Sequence, residues 1–197
     1  MVKISACVIT KNEEINITNW LKCMKLLADE MIVVDTGSAD NTLAVAQKNG
    51  AKTYEIKWED DFSSAKNFAI EQAQGEWIAF LDADEYFPET VINKVKNEIQ
   101  SLNKNIDAVI CKIVNVNADD NNKYISSFYN IRIFRNNKNL RYQNKVHEML
   151  KKKTEQLNLY KLPNDIEIYH TGYSTSIVKQ KVARNLKILQ DEIALSG

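Results

Sequence analysis

The sequence predicts an α/β fold with a mainly parallel central sheet. In the first half of the chain, short β-favouring segments alternate with amphipathic helical patterns, and parallel strands require such crossover connections. Gly50 and Gly75 follow two helical patterns, and Pro88 suits the first turn of another, so the boundary residues agree with this alternation. Because crossovers are right-handed, the loops after the strands should lie along one edge of the sheet.

Hydrophobic periodicity predicts each element. After residue 102 the alternation changes to longer strands joined by an Asn-rich segment, which predicts an antiparallel or mixed second half. A last helix keeps a helical period of apolar residues without a stop signal, and this predicts a further region after it. The predicted strands cover residues 4–10, 31–35, 53–57, 77–81, 107–116, 128–134 and 167–169, and the predicted helices cover residues 15–27, 41–49, 62–74, 88–102 and 174–195.

The composition indicates one packed domain over residues 1–197. The chain has 44% hydrophobic content and a formal net charge of +0, which suits a single core. No apolar stretch approaches the roughly 20 residues that span a bilayer, and no leader pattern precedes the first strand, so we predict a cytoplasmic protein. Cys7, Cys23 and Cys111 lack Cys-x-x-Cys spacing, which favours reduced core residues over a disulfide or zinc framework.

The charge is divided unevenly between the two halves. Residues 1–100 carry 10 Lys/Arg against 17 Asp/Glu, whereas residues 101–197 carry 16 against 9. An acidic half that could hold a metal and a basic half that could meet phosphate would suit the two walls of one cleft, although two solvated surfaces would give the same counts. A nucleic-acid binder would carry its basic excess over the whole domain, so we predict no nucleic-acid partner.

Three carboxylates follow the apolar run that forms the fourth predicted strand. Asp82, Asp84 and Glu85 come directly after Leu81. In an extended segment alternate side chains share a face, so Asp82 and Asp84 could hold one divalent cation and leave positions for phosphate oxygens. The alternative is a solvated turn in which Asp84 caps the helix near Pro88. The carboxyl end of a buried strand is where α/β sheets bind ligands, which favours the metal.

Polar loops also follow the first two predicted strands and open the third helix. A uracil needs a hydrogen-bond acceptor for its N3 hydrogen, a ribose needs partners for its hydroxyls, and a diphosphate needs a metal and cations. Each loop alone is explained by solubility and helix capping, but together they favour a nucleotide site. The polar groups are those of Thr10, Lys11, Asn12, Glu13 and Glu14, of Asp35 and Ser38, and of Ser64, Lys66 and Asn67.

These motifs resemble the inverting glycosyltransferases of family 2, which have the GT-A fold. The resemblance rests on residues 5–14, 33–42, 65–67, 73–77 and 80–85 in order and spacing. More narrowly, residues 58–63, 134–135, 141–142, 146–148 and 170–173 resemble the branch of lipopolysaccharide-core glucosyltransferases and bacteriocin S-glycosyltransferases. Thr36 stands where commoner members carry aspartate, and Lys66 stands where arginine is more usual.

The resemblance implies a metal-dependent hexosyltransferase that moves a sugar from a UDP-hexose to a hydroxyl or thiol of a glycan, lipid or peptide. Residues 1–102 would bind the nucleotide sugar, residues 103–173 would face the acceptor, and residues 174–197 would lead into a further region. A lipid acceptor would also be compatible with contact between the protein and a membrane surface. The implied donor-binding residues are Thr10, Asn12, Glu13, Asp35, Lys66, Asn67 and Asp82, and Asp84 and His170 would bind Mn²⁺ or Mg²⁺.

An inverting transfer also needs a base, and we predict Glu148. It lies in the acceptor half beside His147, although an exposed surface glutamate is the alternative. His170 beside Tyr169 could equally be a hydrogen-bonded core residue. Two other classes remain, a nucleotidyltransferase and a non-catalytic interaction domain on the same scaffold. The loop from Thr10 to Glu14 has no glycine, which disfavours the phosphate loop of a nucleotidyltransferase.

Overall fold

The computed structural model describes residues 2–153 and 156–173, and the helix predicted over residues 174–195 lies outside them. The helices are α1 (Glu14–Leu27), α2 (Thr42–Lys48), α3 (Phe62–Gln72) and α4 (Glu89–Ser101), with a 3₁₀ turn at Ala118–Asp120. The strands are β1 (Ile4–Thr10), β2 (Glu30–Asp35), β3 (Lys52–Glu55), β4 (Trp77–Phe80), β5 (Glu85–Tyr86), β6 (Ala108–Asn117), β7 (Lys123–Arg135), β8 (Leu140–Gln143), β9 (Met149–Lys152), β10 (Leu159–Lys161) and β11 (Glu167–His170).

One mixed sheet organises the domain, in the order β3-β2-β1-β4-β7-β6-β11-β5, with β10 also paired to β6. Strands β1 to β4 are mutually parallel, whereas β7 runs antiparallel to both of its neighbours. A separate antiparallel pair joins β8 to β9. The parallel first half and the mixed second half are therefore confirmed.

The central strands are buried on both faces, so they are apolar throughout rather than alternating. On one face, Ala6 and Val8 of β1 join the core that α1 and α4 cover. On the other face, Cys7 joins a second core with Ala69 of α3 and Tyr142 of β8. This layering fixes the polar loops after β1, β2 and β4 at the same edge of the sheet.

The structure differs from the sequence prediction in the short strands β5, β8, β9 and β10, which were not predicted, and in two boundaries. Helix α3 ends at Gln72, and Gly75 instead packs on β1, where an added Cβ would lie 2.6 Å from the backbone nitrogen of Ser5. Strand β7 begins at Lys123, five residues earlier than predicted, because β6 and β7 continue as a hairpin whose residues 123–130 are exposed. Apolar periodicity does not detect a solvated strand of this kind.

The three cysteines are free and buried, as predicted. Burial raises the pKa of Cys23 to about 11 and that of Cys111 to about 12, so both thiols are protonated near neutral pH. Among the described residues, we find no helix that combines the length and apolarity needed to cross a membrane.

Candidate active site

A cavity of about 490 Å³ lies at the edge of the sheet where the polar loops meet. The turn after β4, the loop of residues 144–148 between β8 and β9, and the end of β11 all contribute to its walls. Seven of the predicted site residues line it, namely Thr10, Glu13, Lys66, Asp82, Asp84, Glu148 and His170.

The acidic segment after β4 is a tight turn, so the prediction of an extended segment is wrong. The Glu85 N–H donates to the Asp82 carbonyl at 2.9 Å, which closes the turn. The alternative prediction, that Asp84 caps α4, is also wrong. Pro88 is the N-cap and makes no side-chain cap bond, while Asp84 is buried at the cavity. The turn gives the two aspartates different partners.

Asp82 lies between two cations. Its carboxylate is 3.3 Å from Lys66 Nζ and 2.9 Å from Arg132 Nη2, and its side chain is 38% exposed. Desolvation alone would raise the pKa of Asp82, but the two cations outweigh it and hold the pKa far below its ordinary value. Asp82 is therefore an anion whose two fixed partners set its orientation in the cavity.

Glu85 is buried beneath the turn, on the side away from the cavity, and does not line the cavity. Arg132 donates to both of its oxygens at 2.7 Å, and both side chains are buried. Burial raises the pKa of Glu85 against the opposing attraction of Arg132. Arg132 is not among the residues predicted from the sequence, although a charged residue between Ile131 and Ile133 in an apolar strand is a signal of a buried partner.

Asp84 and His170 lie together on another wall. His170 Nε2 is 3.3 Å from Asp84 Oδ2, and its Nδ1 is 2.8 Å from Asn115 Oδ1. Asn115 donates its amide to Ser126 Oγ, so its carbonyl oxygen faces the ring and accepts from Nδ1–H. In the neutral imidazole this leaves the Nε2 lone pair beside the Asp84 carboxylate.

This pair fits a hard divalent cation. Two ligand atoms at neighbouring positions, each about 2.1 Å from the ion, lie about 3 Å apart, close to the observed separation. Within residues 2–153 and 156–173, no three or more His, Cys, Asp and Glu side chains are grouped as a metal site. Two protein ligands still suit Mg²⁺ or Mn²⁺, which complete their shells with water and phosphate oxygens.

Glu148 lines the cavity instead of lying on the open surface. Its Oε1 is 2.6 Å from Lys66 Nζ, and its side chain is 20% exposed. Lys66 is 2% exposed and lies about 5 Å from the ring centroids of Phe80 and Tyr142. Burial lowers the pKa of Lys66, but the nearby carboxylates raise it above its usual range, so the ammonium stays charged.

Three predicted donor-binding residues do not line the cavity. Asn67 donates to the Tyr142 carbonyl and accepts from the Tyr142 N–H, both at 2.9 Å. Asn12 accepts from the Ala39 N–H at 2.8 Å, and Asp35 is buried within its own loop. Their amides and carboxylate hold the scaffold together, and their contact with a donor stays a prediction.

The cavity also contains an aromatic pair that the sequence analysis did not assign. The rings of Trp58 and Phe62 meet edge to face at 4.9 Å, and the indole N–H donates to Asp60 Oδ1 at 2.7 Å. The Phe62 N–H donates to the Lys145 carbonyl at 3.0 Å, which joins this wall to the loop that carries Glu148. The two residues joined by this hydrogen bond are more than 80 positions apart, so no local sequence pattern predicts it.

The architecture is the GT-A fold of glycosyltransferases. The chain is similar to the crystal structure of S. aureus TarS 1-349, with a TM-score of 0.62 and 19% identity, over 86% of this chain and 60% of that one. The family model for Glycosyl transferase family 2 matches residues 5–168. The chain therefore belongs to glycosyltransferase family 2, and the predicted fold and family are both confirmed.

Two curated relatives match nearly the whole chain. A TPR repeat-containing protein of Synechococcus elongatus is 32% identical over 188 residues, which is 92% of this chain and 45% of that protein. The SPbeta prophage-derived glycosyltransferase SunS of Bacillus subtilis is 30% identical over 200 residues, covering 98% of this chain and 45% of SunS. The chain thus spans about half the length of these relatives.

Proposed function

We propose that this domain transfers a hexose from a UDP-sugar to a hydroxyl or thiol, with inversion at the anomeric carbon. The observation that carries the proposal is one cavity that joins the Asp84–His170 pair to Glu148. A cation site and a carboxylate facing one space are what a displacement at a sugar phosphate requires. Membership of glycosyltransferase family 2 supports this activity over a nucleotidyltransferase or a non-catalytic domain.

The donor would bind along the sheet edge. Thr10 and Glu13 line the cavity and offer a hydroxyl and a carboxylate to the nucleoside. Asp82 offers an exposed carboxylate edge to the ribose. Asp84 and His170 would hold Mn²⁺ or Mg²⁺, which when bound stabilises negative charge on the departing diphosphate.

Glu148 would act as the general base. The acceptor oxygen or sulfur attacks the anomeric carbon while its proton passes to a Glu148 oxygen. The carbon–phosphate-oxygen bond breaks on the opposite face, and its electron pair leaves with UDP. Asp82 and the metal ligands orient the donor for this in-line geometry, and the acceptor is a glycan, lipid or peptide.

A panel of nucleotide sugars tests the donor assignment. We expect UDP-sugars with Mn²⁺ or Mg²⁺ to raise the melting temperature, and one of them to be hydrolysed slowly to UDP. Asp84→Asn and His170→Ala should each weaken metal activation at least about tenfold, since either leaves one protein ligand. Asp120→Asn, which changes an exposed carboxylate outside the cavity, is the control. Binding of no nucleoside diphosphate would refute the proposal, and pyrophosphate release from nucleoside triphosphates would favour a nucleotidyltransferase.

Replacement of Glu148 tests the base. Glu148→Gln keeps the side-chain shape but removes its proton affinity, so we expect turnover to fall by about 10² to 10⁴ while UDP affinity is kept. Steady-state kinetics and calorimetry measure the two effects. Glu71→Gln, on the exposed surface of α3, should change neither. Near-normal turnover by Glu148→Gln would move the role elsewhere, with Asp60 on the cavity wall the next candidate.

A further inference from the structure

A buried lysine links the two walls of the cavity. Lys66 Nζ contacts Glu148 Oε1 at 2.6 Å on the acceptor side and Asp82 Oδ1 at 3.3 Å on the donor side. Arg132 continues the row of alternating charges from Asp82 to Glu85. The acidic turn and the loop of residues 144–148 are therefore joined through one ammonium group.

The ammonium is poorly placed to bind a phosphate. Two carboxylates lie 2.6 and 3.3 Å from its nitrogen, and the rings of Phe80 and Tyr142 lie 5.2 and 5.1 Å from it. Only 2% of the Lys66 surface is exposed. A phosphate that replaced one of the carboxylates would leave that charge without its closest partner.

The loop that carries Glu148 needs such an anchor. Asn144 and His147 have φ of 76° and 55°, a left-handed conformation that non-glycine residues rarely adopt. Glu148 follows His147 immediately, so its direction depends on this strained stretch. A cation 2.6 Å away fixes the position of the carboxylate.

We propose that Lys66 is a positioning residue for Glu148, and that it acts on turnover through that carboxylate and not by binding the donor phosphates. This inference deepens the proposed function and rests on it. Lys66 holds the Glu148 carboxylate in place and aimed into the cavity, where it can receive the acceptor proton. Its second contact, with Asp82, sets the distance between the base and the donor wall.

A double-mutant cycle separates the two roles. The probe reaction is hydrolysis of the UDP-sugar that the wild-type protein cleaves fastest, with UDP release measured for Lys66→Met, Glu148→Gln and the double variant. We expect Lys66→Met to lower kcat about 10- to 100-fold with KM changed less than about threefold. In the Glu148→Gln background the same change should alter kcat less than about threefold, because the group through which Lys66 acts is already disabled.

Opposite results would overturn the inference. If Lys66→Met raised KM and kept kcat, Lys66 would instead bind the donor phosphates. If the kcat loss of the double variant equalled the product of the two single losses, Lys66 would not act through Glu148. Lys66→Arg, which keeps the charge, should recover part of kcat. Lys112→Met removes a lysine that also lies 2.6 Å from a carboxylate, that of Glu167, outside the cavity, and should leave kcat unchanged.

A stability measurement keeps the test independent of the donor. Urea unfolding of the wild type, Lys66→Met, Glu148→Gln and the double variant gives the coupling free energy between Lys66 and Glu148. The double variant should lose clearly less stability than the sum of the two single losses. Additive losses would mean that the ion pair does not form in solution and would refute the inference. Coupling without cleavage of any UDP-sugar would instead refute the proposed donor and leave the pairing established.

Discussion

Two acidic turns lie at the same edge of the sheet, and they use their carboxylates differently. After β2, Asp35 accepts the N–H groups of Gly37 and Ser38 at 2.8 and 2.7 Å and the Thr10 hydroxyl at 3.1 Å. After β4, Asp82 is held by Lys66 and Arg132 and keeps 38% of its side chain exposed. Neutral donors from its own turn and from Thr10 surround and bury Asp35, whereas two cations from distant segments leave one side of Asp82 facing the cavity.

The partner of a carboxylate therefore indicates its role better than its position does. A ring of backbone and hydroxyl donors makes Asp35 part of the loop framework. Ionic partners from α3 and β7 make Asp82 part of a charged network that a ligand can enter. The difference should appear as loss of stability at one turn and loss of binding at the other.

The largest effect on stability is expected beneath the Asp82 turn. Arg132→Met leaves Glu85 buried without its bidentate partner, and such a change costs about 3–5 kcal/mol. Urea unfolding measures the loss. Arg135→Met is the matched control, because Arg135 pairs with the largely exposed Glu76 and should lose less. A loss below about 1 kcal/mol for Arg132→Met would contradict the assignment of Arg132 and Glu85 as a buried pair that stabilises the turn.

Asp35→Asn sharpens the comparison directly. In the wild type several donors of the turn bind the two carboxylate oxygens, whereas the amide keeps only one acceptor oxygen. We therefore expect the free energy of unfolding to fall by about 1–3 kcal/mol while UDP affinity is unchanged. Asp82→Asn should show the reverse, a weaker UDP affinity with a smaller change in stability. Parallel melting and calorimetry test both variants. If Asp35→Asn weakened UDP binding without destabilising the fold, the two turns would not differ as described.

The smallest effect is expected at Tyr142. Its hydroxyl is buried and has no hydrogen-bond partner among the described residues, and burial raises its pKa to about 12. Tyr142→Phe removes the unpaired group and keeps the ring, so stability should stay within about 0.5 kcal/mol or rise. A clear loss of stability on urea unfolding would indicate a partner for this hydroxyl in solution.

Local sequence pattern was sufficient for the strand-helix alternation and for the edge at which the polar loops meet. A strand that is buried on both faces, such as Trp77–Phe80, is a continuous apolar run and can therefore be recognised from the sequence. The prediction that residues 82–85 are extended was wrong because a turn and an extended segment can have the same polar composition. The self-bonded turn at Asp35 was not predicted, although the Gly37 and Ser38 that follow it are its signal.

Pairings between distant segments lie beyond such patterns. Lys66 meets Glu148 across 82 positions, and Arg132 meets Glu85 across 47. Nothing in the neighbouring residues specifies either partner, because the sheet order and the β8–β9 hairpin bring them together. A charged residue inside an apolar strand, as at Arg132, signals that a buried partner exists without identifying it.

The double hydrogen bond between Asn67 and Tyr142 also bears on motion. The Asn67 amide imitates the peptide group of a neighbouring strand and attaches α3 to β8 through the main chain. Helix α3 and the hairpin that carries Glu148 should therefore shift as one rigid body. The Tyr142 amide proton should exchange slowly with deuterium, and its exchange rate would report the separation of these elements during a catalytic cycle.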